Sequence, residues 1–152
     1  MRHLVGGLLA VSLVFPAARW VNAACELTQD QQNAARGAAD AACDQEGRGC
    51  TTASSHGQYV SCIAQKVKAD PSLSDPHCRG AIKRCAARSI CGKQSRGFHT
   101  CCKTSSDGTT TCSIKSSTSA CTDHPPPGGS ACAGADTHPS CCDACTSSGC
   151  AP

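Results

Sequence analysis

The stretch S-C-C-D-A-C-T-S-S-G-C, residues 140–150, carries four cysteines in eleven positions. They are Cys141, Cys142, Cys145 and Cys150. Cys142 and Cys145 have the spacing of a zinc-ligand pair, and His138 or Cys150 could complete the ligand set, but we find no second well-spaced ligand pair in the rest of the chain. A redox pair would need a βαβ setting, which does not surround it. We therefore predict disulfides, with a zinc- or copper-binding protein as a lesser alternative.

The amino terminus predicts export. A basic head, residues 1–3, precedes an apolar run at 4–15, and Val21-Asn22-Ala23 suits cleavage after Ala23. That run is shorter than the ~20 apolar residues that span a bilayer. We expect a signal peptide, residues 1–23, and a secreted product, extracellular or periplasmic, that is not membrane-spanning. A retained anchor, a buried helix or a lipoprotein signal ending at Cys25 are the alternatives, although Asn22 stands where lipoproteins usually carry Leu.

Cysteine content agrees with export. All sixteen cysteines follow residue 23, a density above the ~8–10% typical of disulfide scaffolds in short secreted chains. We predict that all of them form disulfides: Cys25, Cys43, Cys50, Cys62, Cys78, Cys85, Cys91, Cys101, Cys102, Cys112, Cys121, Cys132, Cys141, Cys142, Cys145 and Cys150.

Large apolar side chains are scarce after residue 23. They are Leu27, Tyr59, Val60, Ile63, Val67, Leu73, Ile82, Ile90, Phe98 and Ile114. Hydrophobic burial by so few side chains cannot offset the conformational entropy lost on folding. Disulfides, each worth ~2–4 kcal/mol, are expected to supply the difference. The reduced protein is therefore predicted to be largely unfolded.

The chain divides by composition into a part with helical periodicity, residues 24–91, and a Ser/Thr/Gly/Pro-rich part, residues 92–152. These ranges hold seven and nine cysteines. Two odd counts require at least one bridge between the two parts if every cysteine is paired.

Helical periodicity predicts three helices, at about 28–46, 55–69 and 76–90. For the first helix we predict an inward stripe of small residues that lets a partner helix approach closely. The stripe consists of Leu27, Ala34, Ala35, Ala38 and Ala42. On the third helix, Cys78 and Cys85 lie seven apart on one side, from which each is expected to reach a neighbouring helix.

A β-hairpin is predicted next, with strands at 99–104 and 109–115 around an Asp107-Gly108 turn. Adjacent strand residues point to opposite faces, so Cys101 and Cys102 should bond in opposite directions, one to the helices and one to the tail. The predicted fold class is therefore small and disulfide-rich. An α-helical array of about three helices precedes a β-hairpin and an irregular cysteine-rich tail.

Positive charge concentrates on the third helix, where residues 76–96 carry six basic side chains and no acid. Arg79, Lys83, Arg84 and Arg88 should face outward on both sides of its buried stripe. A solvated face is one interpretation. The other is a patch for an anionic partner, such as an envelope or extracellular surface. Nucleic acid is not expected, because aromatic platforms for bases are missing.

No catalytic constellation is evident, since the histidines are scattered and none has an adjacent nucleophile or carboxylate in a recognisable arrangement. We expect no catalytic residues and no cofactor.

Four stretches carry a resemblance: C-R-G-A-I-K-R-C-A-A-R-S-I-C-G-K (78–93), F-H-T-C-C-K-T (98–104), T-T-T-C-S-I-K (109–115) and the closing G-G-S-A-C and S-C-C-D-A-C. In these the chain resembles uncharacterised secreted cysteine-rich proteins of environmental bacteria. The resemblance implies a bacterial envelope or extracellular setting and no activity.

Two classes of function remain. The first is a noncatalytic secreted structural or interaction module of unknown partner. The alternative is a secreted effector, inhibitor or antimicrobial-like protein, although the helices lack the bulky apolar face that interfacial insertion requires.

Overall fold

The computed structural model describes residues 25–93 and 97–151, here called the helical region and the sheet region. In chain order the elements are α1 Gln29–Asp44, α2 His56–Ala69, α3 Pro76–Ala87, β1 His99–Thr104, β2 Thr110–Lys115, α4 Thr118–Thr122, β3 Ser130–Ala133, β4 Cys145–Thr146 and β5 Gly149–Cys150. Three main helices, a small antiparallel sheet and a cysteine-rich end confirm the predicted fold class. The expected signal peptide, residues 1–23, lies outside the described residues.

Each main helix begins at a side-chain cap. Thr28 forms a capping box with Gln31, and the Ser55 side chain accepts a hydrogen bond from the backbone of Gln58. Asp75 caps α3, whose first residue is Pro76. These local signals explain why the predicted helix starts agree with the structure to within one residue.

The end of α3 differs from its prediction by three residues. The helix stops at Ala87 because Arg88 adopts φ −101° and ψ 46°, outside the helical range. Ser89 then forms a β-bridge with Ser140, and the Ile90 amide donates to the Pro139 carbonyl at 2.8 Å. The carboxyl-terminal segment therefore replaces the last helical turn with sheet-like pairing.

The hydrophobic core lies in the helical region. Its fully buried large side chains include Tyr59, Ile63, Val67 and Ile82. The stripe predicted on α1 is wrong in part: Leu27 and Ala35 pack against the core, but Ala34 and Ala38 are exposed. The helix instead buries Arg36, Ala39 and Cys43. The disulfide of Cys43 to α2 and an ion pair of Arg36 turn that face inward.

The sheet region is built around β1. The strand order is β2-β1-β3, with both pairs antiparallel, and β4 pairs with β5 in a separate ribbon. Gly108 has φ 80° in the predicted hairpin turn, and the Asp107 carboxylate accepts a hydrogen bond from the Thr109 amide. The sequence indicated β1 and β2 but neither β3, the terminal ribbon nor α4.

Eight disulfides pair all sixteen cysteines, each of which lies in the described ranges. Three stay within the helical region: Cys25–Cys78, Cys43–Cys62 and Cys50–Cys91. Four stay within the sheet region: Cys101–Cys121, Cys102–Cys145, Cys112–Cys141 and Cys132–Cys150. Cys85–Cys142 joins the two regions.

Two expectations about individual cysteines are wrong. Neither Cys78 nor Cys85 bonds to a neighbouring helix, because their partners lie before α1 and in the carboxyl-terminal tail. Cys102 bonds to the tail as expected, but Cys101 bonds to Cys121 of α4 and not to the main helices. The short helix α4, which the sequence did not indicate, occupies the face of the sheet on which the helical array was expected.

Candidate anion-binding groove

The basic residues of α3 lie on its exposed surface. The helix buries Cys78, Ile82, Cys85 and Ala86 against the rest of the protein. The fully buried stripe leaves the four predicted patch residues, Arg79, Lys83, Arg84 and Arg88, on the remaining surface of the helix and just beyond its end. Two of them line a groove between α2 and α3, and the other two do not.

Arg79 and Lys83 line a groove of about 580 Å³ between α2 and α3. Its other lining residues are Ser61, Ala64, Gln65, Lys68 and Pro76. Three of the seven lining residues are cationic and none is acidic. Ser61 and Gln65 add a hydroxyl and an amide, which can donate hydrogen bonds beside the charges. The groove therefore combines positive charge with neutral donors.

The cations of the groove have no ion-pair partner within residues 25–93 and 97–151. The ion pairs found there are Arg36–Asp143, Arg48–Glu46 and Lys66–Glu46. No hydrogen bond from the side chains of Lys68, Arg79 or Lys83 is seen in those ranges either. The nearby carboxylate of Asp75 accepts from the His77 amide at 2.8 Å, as the cap of α3. The three charges are therefore free to bind an external anion.

Lys66, two residues before Lys68, shows the opposite situation. Its ammonium pairs with Glu46, which also binds Arg48. The hydrogen bonds from Arg48 and Lys66 lower the pKa of Glu46 to about 2. Positive charge on α2 is thus neutralised on the side facing α1 and left unpaired on the side facing α3.

Arg88 belongs to the junction of the two regions. Its guanidinium donates to the Cys112 carbonyl at 2.6 Å, and its own carbonyl accepts from the Cys141 amide at 2.9 Å. Arg84 is exposed and does not line the groove. Of the patch predicted from sequence, only Arg79 and Lys83 line the groove. Lys68 joins them there, although charge patterning along α3 could not indicate it because it lies on α2.

A second cavity, of about 590 Å³, lies between β2 and the tail. Its walls are Arg88, Gly108, Thr110, Thr111, Cys112, Cys141, Cys145, Thr146 and Ser147. Arg88, its one charged lining residue, already donates to a backbone carbonyl. This cavity therefore offers hydroxyl groups but no uncommitted charge among the residues that the structure describes.

A buried polar cluster joins α1 to the tail. The guanidinium of Arg36 pairs with the Asp143 carboxylate, whose other oxygen accepts from the Ser140 amide at 2.9 Å. The Tyr59 side chain beside them is fully buried, and its hydroxyl has no hydrogen-bond partner among the described residues. Burial raises the pKa of Tyr59 to about 12, against a smaller opposing effect of Arg36. The cluster lies in the closed junction of the regions, so we assign it a structural role.

His56 is also structural. Its Nδ1 lies 2.9 Å from the Cys91 carbonyl and its Nε2 lies 3.1 Å from the Ala87 carbonyl. Both ring nitrogens are therefore occupied in tying the start of α2 to the end of α3.

The four tail cysteines each bond to a different element. Cys141, Cys145 and Cys150 reach β2, β1 and β3, and Cys142 reaches α3. Two of them, Cys145 and Cys150, each lie with two strand cysteines in a group of three sulfur atoms close enough to share a metal ion. Zinc binds thiolates, however, so that site would require the reduced form of the protein.

No family model, curated protein or solved structure matches the chain. Within the described part of the protein, no helix has the length and apolar character needed to cross a membrane.

Proposed function

We propose that the protein is an exported, noncatalytic interaction module that binds an anionic polysaccharide through the α2–α3 groove. The observation that carries this proposal is the set of three unpaired cations, Lys68, Arg79 and Lys83, in a groove without a lining carboxylate. Charges held on two packed helices keep their spacing, which lowers the entropic cost of binding several anionic groups.

The chemistry of the groove favours a glycan over a membrane. Sulfate or carboxylate groups would pair with the cations, and the side chains of Ser61 and Gln65 would bind sugar hydroxyl groups. Insertion into a bilayer needs a bulky apolar face. The apolar residues that line the α2–α3 groove are Ala64 and Pro76, which are both small.

The disulfide content supports an oxidising compartment, where such bonds persist. Together with the expected signal peptide, this supports a location outside the cytoplasm. Intact-mass measurement of the natively exported protein tests whether the signal peptide is cleaved. A mature chain that begins at Ala24 is expected, and a chain that retains residues 1–23 would contradict it.

Retention on immobilised heparin, a sulfated polysaccharide, tests the groove. The triple variant Lys68→Gln/Arg79→Gln/Lys83→Gln is expected to lose about 3- to 150-fold in affinity, since each of the three exposed ion pairs contributes ~0.2–1 kcal/mol. Binding of the unmodified protein should weaken with added salt, because salt screens exposed charges.

The matched control is Arg84→Gln/Lys93→Gln/Lys115→Gln, which removes the same net charge from positions outside the groove. Equal losses of heparin affinity in both variants would show that binding depends only on net charge, and would overturn the groove assignment. Binding to phosphatidylglycerol vesicles without retention on heparin would replace the polysaccharide with a membrane surface.

A further inference from the structure

Three disulfides form a row across the sheet. Cys102 on the central strand β1 lies directly opposite Cys112 on β2 and Cys132 on β3. Residues paired in this way project from the same face of a sheet. Their partners in the tail are Cys145, Cys141 and Cys150, respectively. One face of the sheet is therefore covered by adjacent disulfides, one on each strand.

Sulfur atoms of neighbouring disulfides in this row lie close together. The Sγ atoms of Cys102, Cys112 and Cys145 all lie within 4.8 Å of one another. Those of Cys102, Cys132 and Cys150 do as well. Each flanking disulfide thus has a sulfur within 4.8 Å of the central disulfide.

The other disulfides provide the contrast. Adjacent strand residues alternate between faces, so Cys101 lies on the opposite side of β1 and bonds to Cys121. No comparable group of three sulfurs within the described ranges contains Cys101, Cys121, Cys43 or Cys62. Proximity between disulfides is therefore a property of this face of the sheet.

We infer that the row is a thiol–disulfide exchange relay, which accepts a low-molecular-mass thiol at one edge and delivers a thiolate at the other. Exchange proceeds by attack of a thiolate on a disulfide sulfur. An external thiolate attacks Cys150, forms a mixed disulfide with it and releases the Cys132 thiolate. That thiolate attacks Cys102, forms a Cys132–Cys102 bond and releases the Cys145 thiolate.

The second half of the relay follows the same chemistry. The Cys145 thiolate attacks Cys112, forms a Cys145–Cys112 bond and releases the Cys141 thiolate at the far edge of the sheet. One sulfur–sulfur bond forms and one breaks at each step, so no separate oxidant or reductant is consumed. The external thiol ends as a mixed disulfide, and one protein thiolate appears in its place.

Accessibility fits entry from the edges. Cys102 is fully buried, whereas both cysteines of each flanking disulfide, Cys132–Cys150 and Cys112–Cys141, are partly exposed. Cys145, which bonds to Cys102, is partly exposed as well. A solvent thiol can therefore reach every disulfide of the row, but it cannot reach the Cys102 sulfur directly.

The single variant Cys141→Ser tests the relay, because it leaves Cys112 unpaired beside the Cys102–Cys145 bond. After incubation at pH 8, acid quenching and alkylation, the label is expected at Cys112 and also at Cys102 or Cys145. The distribution should re-equilibrate at pH 8 and stay constant at pH 3, where thiolate is absent.

The matched control is Cys121→Ser, which leaves Cys101 unpaired on the other face. Its label is expected at Cys101 alone. Label confined to Cys112 in the Cys141→Ser variant, with no change over hours at pH 8, would overturn the relay.

A second measurement avoids the risk that a variant fails to fold. The native protein is treated with limiting glutathione, quenched and mapped by mass spectrometry. A Cys102–Cys132 bond together with an intact Cys101–Cys121 bond is expected. Glutathionylation without any new protein disulfide would contradict the proposal.

Discussion

The helical region and the sheet region are stabilised in different ways. The first buries Tyr59, Ile63 and Ile82 in an apolar core, and its three internal disulfides tie together elements that already pack. In the sheet region as described, the buried apolar residues are Ala144 and three cysteines. Ile114 and Phe98, its largest apolar side chains, remain partly exposed.

This difference shows that disulfides act in two ways in one small chain. In the helical region they limit the unfolded ensemble of a segment that also has an apolar core. In the sheet region the sulfur atoms are themselves much of the buried apolar material, so each bond contributes both connection and packing.

The largest expected effect comes from removing the central disulfide of the sheet, Cys102–Cys145. The double variant Cys102→Ala/Cys145→Ala should unfold the sheet region, because a native disulfide in a small secreted domain contributes ~2–5 kcal/mol and little apolar packing remains to compensate. Limited proteolysis with peptide mapping measures this. The control Cys43→Ala/Cys62→Ala should remain protected in the helical region, and equal protection in the two variants would remove the distinction between the regions.

The second prediction compares two isoleucines. Ile63→Ala should lower the free energy of unfolding by about 2–5 kcal/mol, because it leaves a cavity in the helical core. Ile114→Ala in β2 should cost less than about 1 kcal/mol, since that side chain is only partly buried. Guanidinium unfolding with disulfides intact, followed by circular dichroism, gives both values. Similar losses would show that the sheet region also depends on an apolar core.

The third prediction concerns the junction of the regions. Arg36→Met should lower the free energy of unfolding by about 1–3 kcal/mol, because Asp143 would lose its buried partner. Adding Asp143→Leu should restore most of that loss, since replacing both ions removes the unpaired charge. Denaturant unfolding of the single and double variants measures the recovery. A double variant no more stable than the single one would show that the pair matters for more than charge compensation.

The fourth prediction uses Tyr59, the one tyrosine of the sequence, as a reporter of the helical core. Its pKa is about 12 in the folded protein against 10.0 for an unperturbed tyrosine. The folded state therefore holds the phenol proton more tightly than the unfolded state. Its contribution to the free energy of unfolding is complete below pH 10 and is lost as the pH rises toward 12.

Ultraviolet absorbance of the phenolate follows this titration. Reduced, alkylated protein should titrate near pH 10, and Tyr59→Phe should lack the corresponding loss of stability at high pH. A midpoint near 10 in the oxidised protein would show that the core admits water around the phenol.

Local chemistry made the helices and the hairpin predictable. Thr28, Ser55 and Asp75 are strong caps, and the Asp107-Gly108 pair specifies a tight turn. The later strand β3 has no such signal, because Ser130–Ala133 is made of small residues and is ordered by pairing with β1. The buried face of α1 was predicted only in part for the same reason, since distant partners orient it.

The candidate site was only half predictable. Arg79 and Lys83 are conspicuous in an acid-free run, but Lys68 becomes their neighbour only through the packing of α2 against α3. Arg88 has the same sequence signature and yet binds the Cys112 carbonyl. Charge patterning identifies basic residues but does not show which of them the fold has already used.

The amino-acid sequence by itself determined that this protein depends on sulfur, because sixteen cysteines accompany too few large apolar side chains for a conventional core. The odd counts in its two parts also required a bridge between them, and Cys85–Cys142 is that bridge. Only the tertiary structure decided which of about two million pairings forms. Sixteen thiols are chemically alike in sequence, and a disulfide forms only where packed backbones bring two of them together.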